Sequence, residues 1–263
     1  MSDILNRIIA VKREEVAAAR REVPLEVMRE RALCAGPVRD FVGAIRACHA
    51  RGAPAVIAEI KRASPSKGVF RSDFDPARFA VDYERNGAAC LSVLTDRQFF
   101  GGTLDDLGRA RRACALPVLR KDFMIDTYQV FEARAAGADC ILLIAGVMGL
   151  DEMRDLERAA HALGMAVLVE SHNASEIANA VQLATPLVGI NNRDLKSFVT
   201  DLAITESLVP MVPPGKIPVA ESGISDSRDM ARLSLFGVST YLIGGALMDQ
   251  PDPGLALKLL LSE

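Results

Sequence analysis

The chain has 263 residues, of which half are hydrophobic and a quarter are charged, and its formal net charge at pH 7 is −3. This composition excludes an intrinsically disordered chain, and the near-neutral charge disfavours a protein that binds nucleic acid or an anionic membrane surface. A length near 260 residues fits one (β/α)8 barrel of roughly 250 residues, or two smaller domains.

The first 53 residues predict helices. Apolar residues recur at helical spacing along the first stretch, which begins near the N-terminus. Pro24 starts a second helical stretch and Gly36-Pro37 ends it, and a third covers residues 40–49. These patterns predict an N-terminal helical extension, residues 1–53, that packs on the rest of the protein.

From Pro54 onwards, short apolar runs alternate regularly with longer amphipathic stretches. The predicted strands are residues 55–60, 90–95, 117–121, 140–145, 166–171, 187–191, 217–222 and 240–244. The predicted helices are residues 75–86, 103–114, 126–136, 149–163, 173–182, 202–209, 226–236 and 253–262. Several of these helices run into a glycine (Gly87, Gly137 and Gly237), as helix C-termini commonly do.

This repeated unit predicts parallel strands joined by right-handed crossovers, because each strand follows closely on the end of a helix. The strands are apolar almost throughout, which indicates that both faces of the sheet are covered. Eight units favour a (β/α)8 TIM barrel with an N-terminal helical extension, as a single domain over residues 1–263. The alternative is a doubly wound open sheet, which more often carries a GxGxxG motif after its first strand. Here that position holds Lys-Arg-Ala-Ser-Pro, residues 61–65.

The cysteines, the first residues and the longest apolar stretch indicate the cellular compartment. The five cysteines are scattered and odd in number, without a CxxC pair, which disfavours a disulfide framework and a structural zinc site. The first residues lack the features of a signal peptide. The longest apolar stretch, residues 140–150, falls far short of the roughly 20 residues of a membrane span. We therefore expect a cytoplasmic protein without a membrane segment.

Charged side chains stand where alternate predicted strands end. Glu59 and Lys61 close strand one, Lys121 strand three, Glu170 strand five and Glu221 strand seven. In a (β/α)8 barrel the active site lies at the C-terminal ends of the strands, so these five side chains converge on one mouth. Structural ion pairs are the alternative, but desolvated charges cost several kcal/mol each unless they are paired. A mixed ring of lysines and glutamates favours proton transfer.

Glycines in the loops after strands seven and eight predict a phosphate site. Ser222-Gly223 and Gly244-Gly245 lie where loops and a helix N-terminus form the usual phosphate cradle of this fold. Ser64, after strand one, is a candidate for a further contact. The alternative is that these glycines only form tight turns.

Few aromatic residues and few histidines lie near the predicted mouth. Phe100, in a loop flanked by glycine, and Phe123 are candidates to line a pocket for a flat ring, with core packing as the alternative. The three histidines are dispersed and form no metal-binding motif, so we expect no metal. His172, beside strand five, is the only histidine near the mouth.

Each strand end also carries a distinctive segment. The segments are EIKRASPSKG (59–68), SVLTDRQFFGG (92–102), LRKDFMID (119–126), ADCILLIA (138–145), VLVESHN (167–173), VGINNRDL (188–195), VAESGI (219–224) and YLIGGALM (241–248). Together and in this order they resemble the indole-3-glycerol-phosphate synthase family, as does the helical extension.

This resemblance implies a carbon–carbon lyase (carboxy-lyase) of tryptophan biosynthesis. Its substrate would be 1-(2-carboxyphenylamino)-1-deoxyribulose 5-phosphate, which undergoes ring closure, decarboxylation and dehydration to indole-3-glycerol phosphate. The resemblance implies no cofactor and no metal. We expect the small phosphorylated substrate as partner, no nucleic acid and no membrane, and a monomer or a weak homo-oligomer.

The resemblance also implies residue roles. It matches Lys121 to the general acid, Glu170 to the general base, and Lys61 to the lysine that pairs with the substrate carboxylate. How the proton transfers divide between the two lysines stays open. Glu59 and Glu221 match carboxylates that position the lysines and the substrate hydroxyls.

The remaining matches are substrate contacts. Asn191 and Ser222 match polar contacts, Arg193 a supporting cation, Ser64, Gly223, Gly244 and Gly245 the phosphate site, and Phe100, Phe123 and Leu142 the pocket for the anthranilate ring. Members of the family often carry Ser, Glu or Thr at the position of Gly245. Only the backbone N–H remains there for phosphate.

Two other functions stay open on the sequence. The first is another phosphate-binding barrel enzyme, such as phosphoribosylanthranilate isomerase or a Schiff-base aldolase, for which a lysine at a strand end is also suitable. The second is a non-catalytic barrel that binds a phosphate ligand. The combination of lysines and glutamates argues against the second, because a binding protein needs no paired acid and base.

Overall fold

The computed structural model describes residues 3–65, 67–194 and 197–262. Three helices precede the first strand: α1 (Asp3–Glu22), α2 (Leu25–Cys34) and α3 (Phe41–His49). The barrel strands are β1 (Ala55–Ile60), β2 (Cys90–Leu94), β3 (Val118–Lys121), β4 (Cys140–Ile144), β5 (Ala166–Ser171), β6 (Leu187–Asn191), β7 (Ile217–Glu221) and β8 (Thr240–Ile243). They pair in parallel and in chain order, and β8 pairs with β1, so the barrel is closed.

One or two helices follow each strand. They are α4 (Pro76–Arg85), α5 (Leu104–Ala113), α6 (Thr127–Ala135), α7 (Leu150–Ala162), α8 (Ala174–Ala180), α9 (Ala203–Leu208), α10 (Ser227–Ser234), α11 (Gly245–Met248) and α12 (Pro253–Ser262). The (β/α)8 TIM barrel with an N-terminal helical extension is confirmed. The prediction missed the single turn of α11 and a two-residue ladder between Ala63–Ser64 and Gly68–Val69. Both are too short to produce a periodic pattern.

Polar caps set the starts of the barrel helices. The side chains of Asp75, Thr103, Asp126, Asn173 and Asp226 each accept a hydrogen bond from a backbone N–H in the first turn of the following helix. Such a cap satisfies an amide that has no partner within the helix, so the helix begins directly after it. The sequence prediction counted each cap as the first helical residue, so each of these five predicted helices starts one residue before the observed helix.

The inside of the barrel is a packed apolar core. Ile57, Leu119, Leu168 and Val219 point inward and are fully buried. Helix α3 adds Phe41 and Ile45 to the same cluster, and the Cys90 thiol at the start of β2 lies 3.5 Å from the Phe41 carbonyl oxygen. Helix α3 therefore covers the N-terminal end of the barrel.

Helix α1 is held at the open end by a buried ion-pair cluster. The Lys12 side chain is 4% exposed, and its Nζ lies 3.0 Å from Asp96 Oδ2 and 2.9 Å from Asp122 Oδ1. Burial lowers the pKa of Lys12, but the charges of Asp122 and Asp96 outweigh it and raise that pKa overall. The two aspartates follow β2 and β3, so this lysine ties α1 to the loops of the barrel mouth.

We expect Lys12→Met to lower the free energy of unfolding by about 3 kcal/mol, because removing one partner leaves the buried aspartates without this cation. Urea denaturation followed by circular dichroism measures the change. Lys258→Met, at an exposed position of α12, is the matched control and should change stability by less than about 0.5 kcal/mol. An equal, small effect of both substitutions would contradict this account of the α1 anchor.

Within the described ranges, no helix combines the length and apolar character that crossing a bilayer requires.

Candidate active site

A cavity of about 710 Å³ occupies the carboxyl-terminal end of the barrel. All fifteen residues that the sequence pointed to line it: Glu59, Lys61, Ser64, Phe100, Lys121, Phe123, Leu142, Glu170, Asn191, Arg193, Glu221, Ser222, Gly223, Gly244 and Gly245. Its volume lies in the range of roughly 300–1,000 Å³ that is typical of small-molecule sites. The structure therefore brings every candidate to one site.

Two lysine–glutamate groups form the centre of the cavity. Lys61 Nζ lies 2.5 Å from Glu59 Oε1, as expected for residues two apart on one face of a strand. Lys121 Nζ lies 2.9 Å from Glu170 Oε2 and 3.7 Å from Glu221 Oε2. The Lys121 side chain is 15% exposed, and both of its carboxylate partners are buried. A substrate in this cavity would meet a largely desolvated ammonium group.

The pKa values of the two glutamates beside Lys121 are shifted in opposite directions. Burial raises the pKa of Glu170, but the charges of Lys121 and His172 outweigh burial and lower that pKa overall. Burial and the adjacent Glu170 carboxylate raise the pKa of Glu221 well above its ordinary value, against the opposing charge of Lys121. Glu170 is therefore held in its ionised form, and Glu221 is shifted toward its protonated form. Environments that separate the pKa values of two carboxyl groups give them different chemical roles.

The lysine between them is strongly held as a cation. Burial by itself lowers the pKa of Lys121. The charges of Glu170, Glu221 and Glu59 outweigh burial and raise that pKa overall. Lys121 is thus a stable ammonium, and an ammonium of this kind can donate its proton only to an oxygen that is becoming strongly basic.

Asn191 orients the ionised glutamate. Its Nδ2 donates to Glu170 Oε1 over 3.1 Å, and its Oδ1 accepts the backbone N–H of Arg193 over 3.0 Å. The Arg193 guanidinium donates in turn to the Phe198 carbonyl oxygen over 3.0 Å. Arg193 thereby ties together the loop after β6, at the rim of the cavity.

At two glycine positions, a neighbouring carboxylate leaves no room for a side chain. A methyl group at Gly244 would overlap Glu59 Oε1, and one at Gly189 would overlap Glu221 Oε1. The sequence predicted a phosphate contact or a tight turn for Gly244, and the structure shows that its lack of a side chain makes room for Glu59. A methyl group at Gly245, by contrast, would meet no described residue within 4 Å.

The chain reverses direction at Ser222 and Gly223, directly after β7. Both residues are in the left-handed region, with φ values of 63° and 78°. Asn192 supports this turn: its Nδ2 donates to the Ser222 carbonyl oxygen over 3.1 Å, and its Oδ1 accepts from the Thr205 hydroxyl over 2.7 Å. Sequence reasoning did not assign Asn192 a role, although a fully buried asparagine side chain must have such partners.

Apolar side chains form part of the cavity wall near β2, β3 and β4. The rings of Phe100 and Phe123 are 6.1 Å apart between centroids, and Phe123 packs against the cluster that contains Leu142. Three further apolar residues of the lining come from α1, namely Ile4, Leu5 and Ile8. Sequence reasoning missed these three, because an apolar stripe on a helix looks the same whether it covers a core or a cavity. Among the residues that the structure describes, no cluster of three or more His, Cys, Asp or Glu side chains could hold a metal ion.

The sequence matches one protein family along nearly all of its length. The family profile described as indole-3-glycerol phosphate synthase matches residues 5–260. The indole-3-glycerol phosphate synthase of Dechloromonas aromatica (strain RCB) is 57% identical over 260 residues, covering 99% of this chain and 99% of that protein. The protein of the same name from Polaromonas sp. (strain JS666) is 57% identical over 260 residues, covering 99% and 98%.

Solved structures share the barrel at low sequence identity. Tryptophan synthase subunit alpha from Legionella pneumophila str. Paris has a TM-score of 0.61 at 16% identity, over 84% of this chain and 95% of that chain. The N-acetylmannosamine-6-phosphate 2-epimerase from Clostridium perfringens has a TM-score of 0.59 at 16% identity, over 80% and 92%. At this identity the likeness concerns the fold alone.

Proposed function

The chain belongs to the indole-3-glycerol phosphate synthase family of tryptophan biosynthesis, and we propose that it acts as a carboxy-lyase through lysine and glutamate acid–base catalysis. The substrate would be 1-(2-carboxyphenylamino)-1-deoxyribulose 5-phosphate and the product indole-3-glycerol phosphate. One observation carries the proposal: the Lys121 ammonium lies between the buried carboxyl groups of Glu170 and Glu221, 2.9 Å and 3.7 Å away, in a cavity that also has apolar lining.

The order of the strands places the phosphate candidates and the apolar candidates at different parts of the mouth. The phosphate candidates Ser64, Gly223 and Gly244 follow β1, β7 and β8, which are neighbours in the closed barrel. The apolar candidates Phe100 and Phe123 follow β2 and β3, and Leu142 lies in β4. Phosphate bound at one side and the aromatic ring at the other would stretch the substrate across the lysines, and this orientation lowers the barrier of ring closure.

Ring closure needs an acid at the carbonyl oxygen. As the ring carbon that bears the carboxylate attacks the C2′ carbonyl carbon, a new carbon–carbon bond forms and charge develops on the oxygen. Lys121 would donate its proton to that oxygen, an assistance typically worth 10²–10⁴-fold. Loss of CO₂ then returns its bonding electrons to the ring and restores aromaticity, and the negative charge of Glu170 would stabilise the preceding cation.

Dehydration needs an acid and a base together. The hydroxyl group leaves as water after it takes a proton from one of the two lysines, while Glu170 would accept the proton from the adjacent ring carbon. Glu59 holds Lys61 in the cavity, where this lysine would pair with the substrate carboxylate before CO₂ is lost. We propose the small phosphorylated substrate as the partner of this site, and activity in the cytoplasm as a monomer or a weak homo-oligomer.

The test is turnover by the purified protein, followed by the fluorescence of the indole product. We expect product at catalytic amounts of enzyme, and no covalent adduct after borohydride is added together with substrate. A substrate-dependent borohydride adduct would support an aldolase instead. A folded protein that binds the substrate without turnover would support a binding function.

The two glycines after β8 allow a matched pair of variants. We expect Gly244→Ala to lower kcat by about 10²-fold, because displacing a positioned catalytic group by about 1 Å costs that much, and the new methyl group overlaps Glu59. Gly245→Ala should retain kcat within about threefold and should still be stabilised by inorganic phosphate in a thermal denaturation series. Equal losses of kcat in both variants would contradict the assigned role of Gly244.

A further inference from the structure

His172 is a titratable group next to the proposed base, and the mechanism above does not use it. It follows β5 directly and lies two residues after Glu170, so both side chains are on the same side of the strand. Its Nε2 lies 3.4 Å from Glu170 Oε1, and its Nδ1 lies 3.2 Å from Glu176 Oε2. The imidazole ring therefore bridges two carboxylates.

A hydrogen bond holds the ring on the Glu176 side, and the Glu170 side has only a charge contact. The His172 side chain is 13% exposed, and its Nε2 is a buried atom without a hydrogen-bond partner among the described residues, 3.4 Å from the Glu170 carboxylate. Glu176, in the first turn of α8, also accepts the backbone N–H of His172 over 2.8 Å and the side-chain amide of Asn173 over 2.7 Å. These bonds leave Glu176 little freedom to turn away from the ring.

The surrounding charges favour the imidazolium form. The charged groups that face the ring are Glu170 from β5, Lys121 from β3 and Glu176 from α8. Burial lowers the pKa of His172, but the hydrogen bond to Glu176 and the charges of both glutamates outweigh burial and the repulsion by Lys121. The pKa of His172 is therefore raised. Burial raises the pKa of Glu176, and the bonds from His172 lower it overall.

We propose that His172 is a positioning residue, which as an imidazolium between Glu170 and Glu176 keeps the Glu170 carboxylate ionised and in place to accept the substrate proton. This inference rests on the proposed function of Glu170 as the base. With His172 protonated, its positive charge lies 3.4 Å from Oε1 while Oε2 faces Lys121, so both oxygens of Glu170 have a cationic neighbour. When His172 loses its proton, Glu170 loses one of these two neighbouring charges.

The central experiment is the pH profile of kcat for His172→Gln. Glutamine can donate a hydrogen bond to Glu170 but stays neutral at every pH. An opposite charge within about 4–6 Å lowers a carboxyl pKa by 1–3 units, so we expect the acidic limb of the profile to move up by about one pH unit in this variant. We also expect kcat to fall about tenfold at pH values below the displaced limb and to change little at neutral pH, with KM within twofold of its original value.

Two further measurements keep the inference testable if His172→Gln folds poorly. Glu176→Gln should move the acidic limb in the same direction by a smaller amount, because it removes the second carboxylate that holds the imidazolium. In an NMR titration of the imidazole, Glu170→Gln should lower the pKa of His172, a readout that does not depend on turnover. His161→Gln, at an exposed position of α7, is the control and should leave the kcat profile unchanged.

The possible outcomes distinguish the proposed function of the protein from the proposed role of His172. If the wild-type protein shows no turnover, the proposed function fails, whereas the NMR titration still tests the contact between His172 and Glu170. If the wild-type protein turns over, Glu170→Gln is inactive, and His172→Gln lowers kcat by the same factor at every pH, then His172 has only a structural role and the inference is overturned.

Discussion

Lys121→Ala is expected to lower kcat by at least about 10³-fold, with a much smaller change in KM, because the proton of Lys121 is needed chiefly as charge develops on the substrate oxygen. The loss of kcat should exceed the loss that removal of a general acid alone would cause. Lys121 also holds down the pKa of Glu170, so its removal takes the proposed base toward its protonated form.

The variant should still fold. Without the lysine, Glu170 and Glu221 are left as two buried carboxyl groups, and such a pair avoids mutual repulsion by holding protons. Circular dichroism and thermal denaturation check the fold, and steady-state and single-turnover kinetics measure the chemistry. Lys258→Ala, at an exposed position, controls for the loss of a lysine elsewhere. Retention of kcat in Lys121→Ala would remove Lys121 from the acid role.

Lys61→Ala in the same assays addresses the division of labour between the two lysines. If Lys61 is the acid of dehydration, single-turnover experiments should show rapid release of CO₂ and slow formation of the indole. If Lys121 serves both steps, CO₂ release and indole formation should slow together. The ion pair of Lys61 with Glu59 alone does not favour either division.

Glu170→Gln is the second substitution with a large expected effect, a loss of about 10²–10⁴ in kcat with near-normal substrate affinity. Glutamine keeps the size of the side chain and a hydrogen bond to Asn191, but it cannot accept a proton. The ionised carboxylate is the active form, so activity should fall as the pH drops through the pKa of Glu170. Because the pKa of Glu170 is lowered in the folded protein, this acidic limb lies below the ordinary range for glutamate, and it should vanish in the variant.

Glu221→Gln provides the matched control, because it places the same change on the other side of Lys121. The raised pKa of Glu221 favours its neutral form, and glutamine resembles this form. We therefore expect a loss of less than about tenfold, far smaller than for Glu170→Gln. Equal losses would show that the two carboxyl groups share one role. If Glu170→Gln instead weakens binding and spares kcat and its acidic limb, Glu170 is a substrate clamp and Glu59 becomes the better candidate for the base.

The barrel and the location of its site followed from the sequence. Eight apolar runs, several of them after a helix that runs into a glycine, leave few topologies open, because chain connectivity and burial of both sheet faces favour parallel strands. Once the strands are parallel, their carboxyl ends meet, so Glu59, Lys61, Lys121, Glu170 and Glu221 converge without any knowledge of their contacts. The resemblance to a family then assigned roles to residues already placed at the mouth.

The covering of that mouth was decided only by tertiary structure. The stripe of α1 that contains Ile4, Leu5 and Ile8 shows that one helix face is apolar, but periodicity does not tell which surface the face meets. Lys12 lies on this helix among other charged residues, and nothing in its sequence neighbourhood distinguishes it from an exposed lysine. Its burial depends on Asp96 and Asp122, which are more than eighty positions away in the chain.

The protonation of the site was likewise decided by tertiary structure. Glu170 and Glu221 are alike in the sequence, each ending an apolar strand, yet the pKa of one is lowered and that of the other is raised. The difference arises because Lys121 and His172 lie close to Glu170, whereas Glu221 is buried beside another carboxylate. A pKa depends on distances and burial, which the order of residues does not contain. The sequence by itself thus determined the fold and which charged side chains meet at the mouth, and the folded structure determined how their pKa values are shifted.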